Sequence, residues 1–326
     1  MQIERIEPML AASTDKELVK RLYKDPNWIA EEKFDGERYM LHLGNEGNKL
    51  YSRNISSVTN QPIDRAANVP HLTSKIYPDL DGTVIDGEIL APVGNFSKVS
   101  SIMGSLPDKG VAYQKANGNA IYRVFDICYY RGQDVMNLTL VERRAILELV
   151  VNLLNIPEIT IVKQQANNME QYYKDIVNAN GEGIILKHIH SKYIPDGRSK
   201  EDWVKVKQVA TWDVVIMSYT DPEQFTENSK GEQTVNRFFV KGWISAIEFG
   251  VYKEGALIKV GQCTGMSDAI RKEISENKSK YIGKVLEVKG QPILKDAIRH
   301  PRFVKVRDDL DPTQCTYKKF IEQRGE

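Results

Sequence analysis

What most restricts this chain is how short its apolar runs are. After Asn27 they come as brief apolar or alternating segments, Trp28–Glu32, Arg38–Leu43, Lys49–Ser52, Val84–Ala91 and Ala120–Tyr130, punctuated by Gly, Asn and Asp. Period-two segments bounded by turn formers build a mainly antiparallel sheet system. Three helical stretches break the pattern. Asp15 to Asp25 reads as a short amphipathic helix with Thr14 or Ser13 as N-cap and Pro26 beyond its end. Thr139-Leu140-Val141-Glu142 forms a capping box that opens a helix toward Leu154. Asn168 to Asn178 is a further helix, stopped by Asn180-Gly181.

A boundary falls near Val209–Trp212, dividing the chain into residues 1–209 and 210–326. The second part holds the strand-like runs Trp212–Tyr219, Arg237–Tyr252, Ala256–Thr264 and Val285–Lys289, with one helix from Ser267 to about Lys278. Several short strands with one helix suit a Greek-key barrel of the OB type. Asp221 to Thr234 lacks apolar periodicity and reads as a mobile loop. The expected class is therefore α+β: antiparallel sheets with flanking helices, followed by a small barrel. A length of 326 residues suffices for two domains.

Composition serves chiefly to exclude. No apolar run approaches bilayer-spanning length, and Met1-Gln2-Ile3-Glu4-Arg5 leads into no apolar segment of the signal-peptide kind, so an intracellular, membrane-free chain is expected. Cys128, Cys263 and Cys315 offer neither a disulfide framework nor zinc spacing. The five histidines, His300 among them, form no metal-like cluster, and Trp203 and Met266 read as core or interface. A net charge of +1 does not announce a nucleic-acid partner, although a basic lining can coexist with an acidic exterior.

The segment richest in chemistry is Glu31-Glu32-Lys33-Phe34-Asp35-Gly36-Glu37-Arg38, set between two strands with Gly36 bending the backbone. A lysine amine attacks only when neutral, which its ordinary pKa of about 10.4 makes rare, so a nucleophilic Lys33 needs burial, neighbouring cations or a metal. Average residue usage yields Lys-x-Asp-Gly-x-Arg in roughly 0.5% of chains this long, against about 10% for Lys-x-Asp-Gly alone. Only the longer match carries weight. Further clusters follow: Ser52-Arg53, Asp86-Gly87-Glu88, Phe125-Asp126, Glu182-Gly183 through Lys187, and Lys205-x-Lys207. Singly they read as ordinary structure: Glu88 a paired edge carboxylate, Phe125 core, Lys205 and Lys207 a solvated strand face.

Taken in order, and completed by Arg299-His300-Pro301-Arg302-Phe303 with Arg307, these clusters resemble the ordered motifs of the covalent nucleotidyltransferases, above all the ATP-dependent DNA ligases. The resemblance runs from Pro8-Met9-Leu10-Ala11 to the Arg299–Asp309 region. It implies an adenylation domain followed by an OB domain that seal nicks in duplex DNA with ATP and Mg²⁺ (Mn²⁺ substituting), the chain acting as a monomer. Lys33 would take up AMP, with Asp35, Lys205 and Lys207 in the catalytic set. Lys187, Lys205, Lys207 and Arg53 would neutralise phosphate charge. Glu31 would read adenine's polar edge, Phe125 stack on the base, Arg38 hold the nucleotide sugar and nick phosphate, and Glu88 and Glu182 lie near metal and sugar. Arg299 and Arg307 would close over ATP with the OB domain, hinged near Gln208–Thr211. One departure stands out: many family members follow the last arginine with Asp-Lys, whereas here the order is Arg307-Asp308-Asp309-Leu310.

The resemblance also implies a compact ligase that grips DNA through the core, the OB domain and loops such as Asp196–Asp202 and Asp221–Thr234. Rival assignments are an RNA ligase, a capping-type guanylyltransferase, or a non-catalytic OB-type binding protein. The Arg299–Phe303 pattern, the barrel directly after the core and Glu31 favour ATP and DNA.

Overall fold

A computed structural model describes residues 6–56, 61–92, 96–179, 181–208, 210–227, 233–294 and 296–322. The chain divides into two compact units between Lys207 and Gln208. The first carries β1 (Leu10–Ala12), β2 (Trp28–Glu32), β3 (Glu37–Leu43), β4 (Lys49–Ile55), β5 (Pro62–Asp64) and β6 (Thr83–Leu90). They are followed by β7 (Ile121–Tyr130), β8 (Gln133–Asp134), β9 (Ile159–Ile161), β10 (Gln164–Gln165), β11 (Gly183–His188) and β12 (Arg198–Lys207). Its helices are α1 (Lys16–Leu22), α2 (Pro70–Thr73), α3 (Phe96–Met103), α4 (Pro107–Asn117), α5 (Leu140–Leu154) and α6 (Met169–Asn178).

One sheet is ordered β1-β12-β11-β2-β10; the other runs β5-β4-β3-β6-β7-β8, with β9 beside β7. Consecutive strands β2 and β3 thus belong to different sheets, and the chain passes between them through Lys33–Gly36. In the first sheet Ala30, Ile184, Leu186 and Val204 pack with Leu22, Met169 and Ile176 of α1 and α6. Alternation then sends Glu31, Ile185, Lys187, Trp203 and Lys205 to the opposite face. The second sheet packs Leu41, Ile85, Tyr122 and Val124 against Leu147 and Val150 of α5.

The second unit holds β13 (Ala210–Thr220), β14 (Phe225–Glu227), β15 (Gln233–Val235), β16 (Ala246–Lys253), β17 (Ala256–Cys263), β18 (Val285–Leu294) and β19 (Ala297–Arg307). Its helices are α7 (Arg237–Val240), α8 (Asp268–Glu276), α9 (Lys278–Tyr281) and α10 (Tyr317–Glu322). Five strands order β17-β16-β13-β18-β19, and a bridge between Thr264 and Arg302 brings the two outer ones together as a barrel. Trp212, Phe249, Leu286, Phe303 and Phe320 fill it, and Trp212 Nε1 donates to the Phe320 carbonyl at 3.1 Å, tying α10 to the barrel.

Several boundaries differ from expectation. Asp15, not Thr14 or Ser13, caps α1: its Oδ1 accepts from Leu18 N at 2.8 Å, and a carboxylate also complements the helix dipole. The strand expected to close at Ser52 continues to Ile55. Residues 237–240 form a helical turn rather than the start of a strand, because Asn236 caps them. Within the expected loop Asp221–Thr234, β14 and β15 pair antiparallel, and Asp196–Asp202 is mostly the beginning of β12. Helices α2, α3 and α4 went unrecognised. The three thiols are buried, and burial pushes Cys128 far up, Cys263 to about 12 and Cys315 to about 11. Among the described residues no helix is long and apolar enough to cross a membrane.

Candidate active site

A cavity of about 270 Å³ opens on the polar face of the first sheet, lined by Leu10, Ala11, Glu31, Glu32, Lys33, Phe34, Arg38, Glu88, Phe125, Ile185, Lys187, Arg198, Trp203 and Lys205. Strand register explains how residues so distant in sequence meet. Glu31 pairs with Ile185, which pairs with Lys205; one step along, Ile29, Lys187 and Trp203 form a second row, and Gly183 with Lys207 a third. Paired residues share a face. The sheet therefore grades from ammonium groups at the Lys33 end to an aromatic corner at Trp203.

Two glycines make the Lys33 end possible. Gly183 has φ 137°, and a Cβ there would lie 2.1 Å from the Val206 carbonyl. Its own carbonyl accepts from Lys33 N at 2.9 Å, pinning the end of β2 to the start of β11. At Gly36 a Cβ would lie 2.3 Å from the Ile89 carbonyl, so only glycine lets its N–H reach Glu88 Oε1 at 3.2 Å. Lys33 is thus fixed at the seam between the sheets.

The Lys33 amine donates to Glu182 Oε2 at 2.5 Å, and Lys207 Nζ reaches Glu182 Oε1 at 2.8 Å. Burial works to raise the Glu182 carboxyl, but Lys33 and Lys207 together hold it below its ordinary value. Lys205 faces the cavity without a carboxylate in salt-bridge range among the described residues. Burial, then Arg198, Lys207 and Lys33, lowers its pKa. Glu88 is driven the other way: burial pushes its carboxyl to about 7 despite Lys33 and Arg38. Asp35 sits in the same connection but does not line the cavity.

At the aromatic end, Lys187 is 1% exposed, pairs with Glu31 Oε2 at 2.6 Å and lies 4.2 Å from the Trp203 ring and 4.8 Å from Phe125. Its charge is committed to Glu31. Gln164 Nε2 donates to the other oxygen, Glu31 Oε1, at 2.9 Å. Phe125 presents its ring to the cavity because its neighbour Asp126 points the opposite way, gripping the wholly buried Arg143 of α5 through Nε at 2.7 Å and Nη2 at 3.0 Å. Arg38 is clamped: Asp86 accepts from Nε at 2.9 Å and Nη2 at 2.5 Å, the Met9 carbonyl from Nη1 at 2.6 Å, and the guanidinium lies over Phe125. Tyr193 donates to Asp86 Oδ2 at 2.7 Å and completes this support.

Sequence reasoning missed Arg198, Tyr193, Gln164 and the cavity-lining role of Trp203, which is both buried and part of the wall. It named Asp86 without assigning it the clamp on Arg38. The Arg53 side chain lies outside the described residues. Arg299 and Arg307 belong to the second unit. There Arg307 makes a two-point pair with Asp309, both contacts 2.7 Å, and lies 3.4 Å from Asp213. Leu310, which follows Asp309, packs with Val215, Val285 and Cys315.

A hard divalent ion takes oxygen ligands, often one or two carboxylates plus phosphate and water. Glu88 and Glu182 fit that donor set, and the raised Glu88 carboxyl marks a carboxylate that further positive charge would favour. Among the described residues no three His, Cys, Asp or Glu side chains gather as a metal cage. Chemically, the arrangement offers an amine flanked by cations at one end of a cavity and an aromatic, polar-edged slot at the other. That suits covalent capture of a nucleotide's phosphoryl group.

Residues 8–207 match the family model of the ATP dependent DNA ligase domain, and the chain belongs to that family. A DNA ligase of Archaeoglobus fulgidus is 29% identical over 345 aligned residues, covering 96% of this chain and 58% of that protein. A DNA ligase of Methanospirillum hungatei is 28% identical, with 94% and 56% covered. The chain thus spans a little over half the length of these relatives. The SPbeta prophage-derived DNA ligase-like protein of Bacillus subtilis is 32% identical over 216 residues, 66% of this chain and 72% of that protein. Among solved structures, a Lig E DNA ligase superposes with TM-score 0.64 at 21% identity, covering 92% of this chain and 99% of that one, and so shares the fold.

Proposed function

We propose that this protein is an ATP-dependent DNA ligase that seals nicks bearing 3′-hydroxyl and 5′-phosphate ends through a lysyl-AMP intermediate, working as an intracellular monomer. The first unit is the adenylation domain and the second the OB domain. The observation that carries the proposal is the placement of Lys33 beside Glu182 and Lys207 in a cavity that Phe125 and Glu31 also line.

Lys33 Nζ attacks the α-phosphorus of ATP; the N–P bond forms as the bond to the bridging oxygen breaks and pyrophosphate leaves. The amine must first shed its proton, because only the neutral form is a nucleophile. AMP then passes to the 5′-phosphate of the nick, whose 3′-hydroxyl displaces it. Each step is a displacement at phosphorus, so the protein's task is alignment and neutralisation of charge on oxygen. Lys205, facing the cavity, and Lys207 serve that task; Lys187 instead holds Glu31. Phe125 stacks on the base, and Arg38, held in one orientation by Asp86, contacts sugar and phosphate. Glu88 and Glu182 would hold a Mg²⁺ ion, which when bound supplies positive charge to the phosphate oxygens. Arg299 and Arg307 of the OB domain engage the departing pyrophosphate, for which Arg307 must exchange Asp309 for phosphate oxygens.

Incubation with ATP labelled in the α-phosphate and Mg²⁺ should give an acid-labile adduct mapping to Lys33, and the charged protein should seal a nicked DNA duplex. Label transferred from GTP or NAD in preference to ATP would overturn the assignment.

A further inference from the structure

We propose that Gln164 is a positioning residue that fixes the Glu31 carboxylate to read the 6-amino edge of the purine, and so sets the enzyme's choice of nucleotide. This rests on the function proposed above, in which the cavity takes an adenine nucleotide. Gln164 lies on β10, the two-residue edge strand of the first sheet, outside every motif the sequence resemblance marks. It pairs directly with Glu31 across the ladder, so the two side chains emerge on the same face.

The contact has a defined chemistry. Glu31 is 2% exposed and lines the cavity. Its Oε2 accepts from Lys187 at 2.6 Å and its Oε1 from Gln164 Nε2 at 2.9 Å. A carboxylate only accepts, so the amide must present its NH₂ group and not its oxygen. Donors on both oxygens stop the carboxylate from turning about its last bond. Lone pairs remain for a ligand donor. A 6-amino group supplies that donor; a 6-oxo group would set acceptor against acceptor, and a purine lacking the group would leave the carboxylate without it. Without Gln164 the carboxylate has one anchor, Lys187, and can rotate to give that ammonium both oxygens. Base selection should then relax while chemistry at Lys33, whose amine is held by Glu182 and not by Gln164, continues.

The test measures lysyl-adduct formation by the full-length protein with ATP, GTP and purine riboside triphosphate. The variants are Gln164→Met, of similar length without the donor, and Gln164→His, which restores an N–H. The wild type should favour ATP over purine riboside triphosphate by about tenfold or more in kcat/KM. Gln164→Met should shrink that preference to about threefold or less through KM for ATP, with kcat within about twofold, and Gln164→His should recover part of it. If the wild type discriminates and Gln164→Met discriminates equally, the role of Gln164 is overturned while Glu31's stands. If the wild type itself takes ATP and purine riboside triphosphate equally, the assignment of Glu31 to the adenine edge falls, and Gln164 with it. A uniform loss of kcat with every nucleotide would leave Gln164 a structural residue only and overturn the proposal.

Discussion

Each unit of the molecule gathers carboxylates around a basic residue of the proposed reaction, and the two clusters are built differently. Around Lys33 the carboxylate is largely buried, set directly before β11, and outnumbered by cations: Glu182 serves both Lys33 and Lys207. Around Arg307 the carboxylates dominate, with Asp309, Asp213 and Glu287 all within 4 Å, and Asp309 well exposed. Buried pairs keep their geometry because parting them leaves a charge uncompensated away from water, whereas exposed pairs exchange readily with water and salt. The first cluster is a preset site. The second can be remade when phosphate arrives.

The comparison can be broken most directly at Lys33. Lys33→Ala should abolish AMP uptake and all sealing from ATP, yet spare the last step on a nick already carrying 5′-AMP; ordinary ATP-driven sealing by that variant would falsify the assignment. Next in size, Lys205→Ala and Lys207→Ala should each slow adduct formation by about a hundredfold in single-turnover assays. Unchanged rates would mean these amines do not face the reacting phosphate.

Two further changes probe burial itself. Asp126→Ala strands Arg143 with no carboxylate in a wholly buried place, and urea unfolding should show a loss of about 3–5 kcal/mol. Glu88 gives a pH signature. Its folded-state pKa, about 7, lies above its ordinary 4.5, so the folded protein holds a proton that the unfolded chain has released. Stability should therefore decline as pH rises from about 4.5 through about 7. Glu88→Gln, melted in the absence of divalent metal, should be the more stable protein at pH 8 and lose that advantage near pH 4.5. The smallest effect belongs to the exposed cluster. Arg307 holds the Asp309 carboxyl down at about 2, yet Asp309→Asn should shift the melting temperature by less than about 2 °C. A large shift there would erase the contrast between the two clusters.

How much of this was legible in the sequence follows from the same geometry. Alternation along single strands announced that Lys205 and Lys207 share a face with Trp203, and the capping box at Thr139 announced α5. The residues of the ordered motifs meet because their strands are neighbours in one of two sheets. What stayed hidden were partners joined only by tertiary pairing: Gln164 with Glu31 across 133 positions, Tyr193 with Asp86 across 107. A polar residue on a two-residue edge strand carries no periodic signal. The helices α2 and α4 escaped for a local reason: both open on proline, α2 has four residues, and α4 carries Gly110 and Gln114 on its buried side, so no apolar stripe betrays them.

The burial of all three native thiols has a practical corollary. Cys128, Cys263 and Cys315 are shielded from water and held far toward the unreactive thiol form. Maleimide dyes should therefore pass over the untouched protein and couple only where an extra surface cysteine is introduced. One such dye on each unit would turn the protein into a ruler for any change in distance between the two units, without first stripping the chain of its own sulfur.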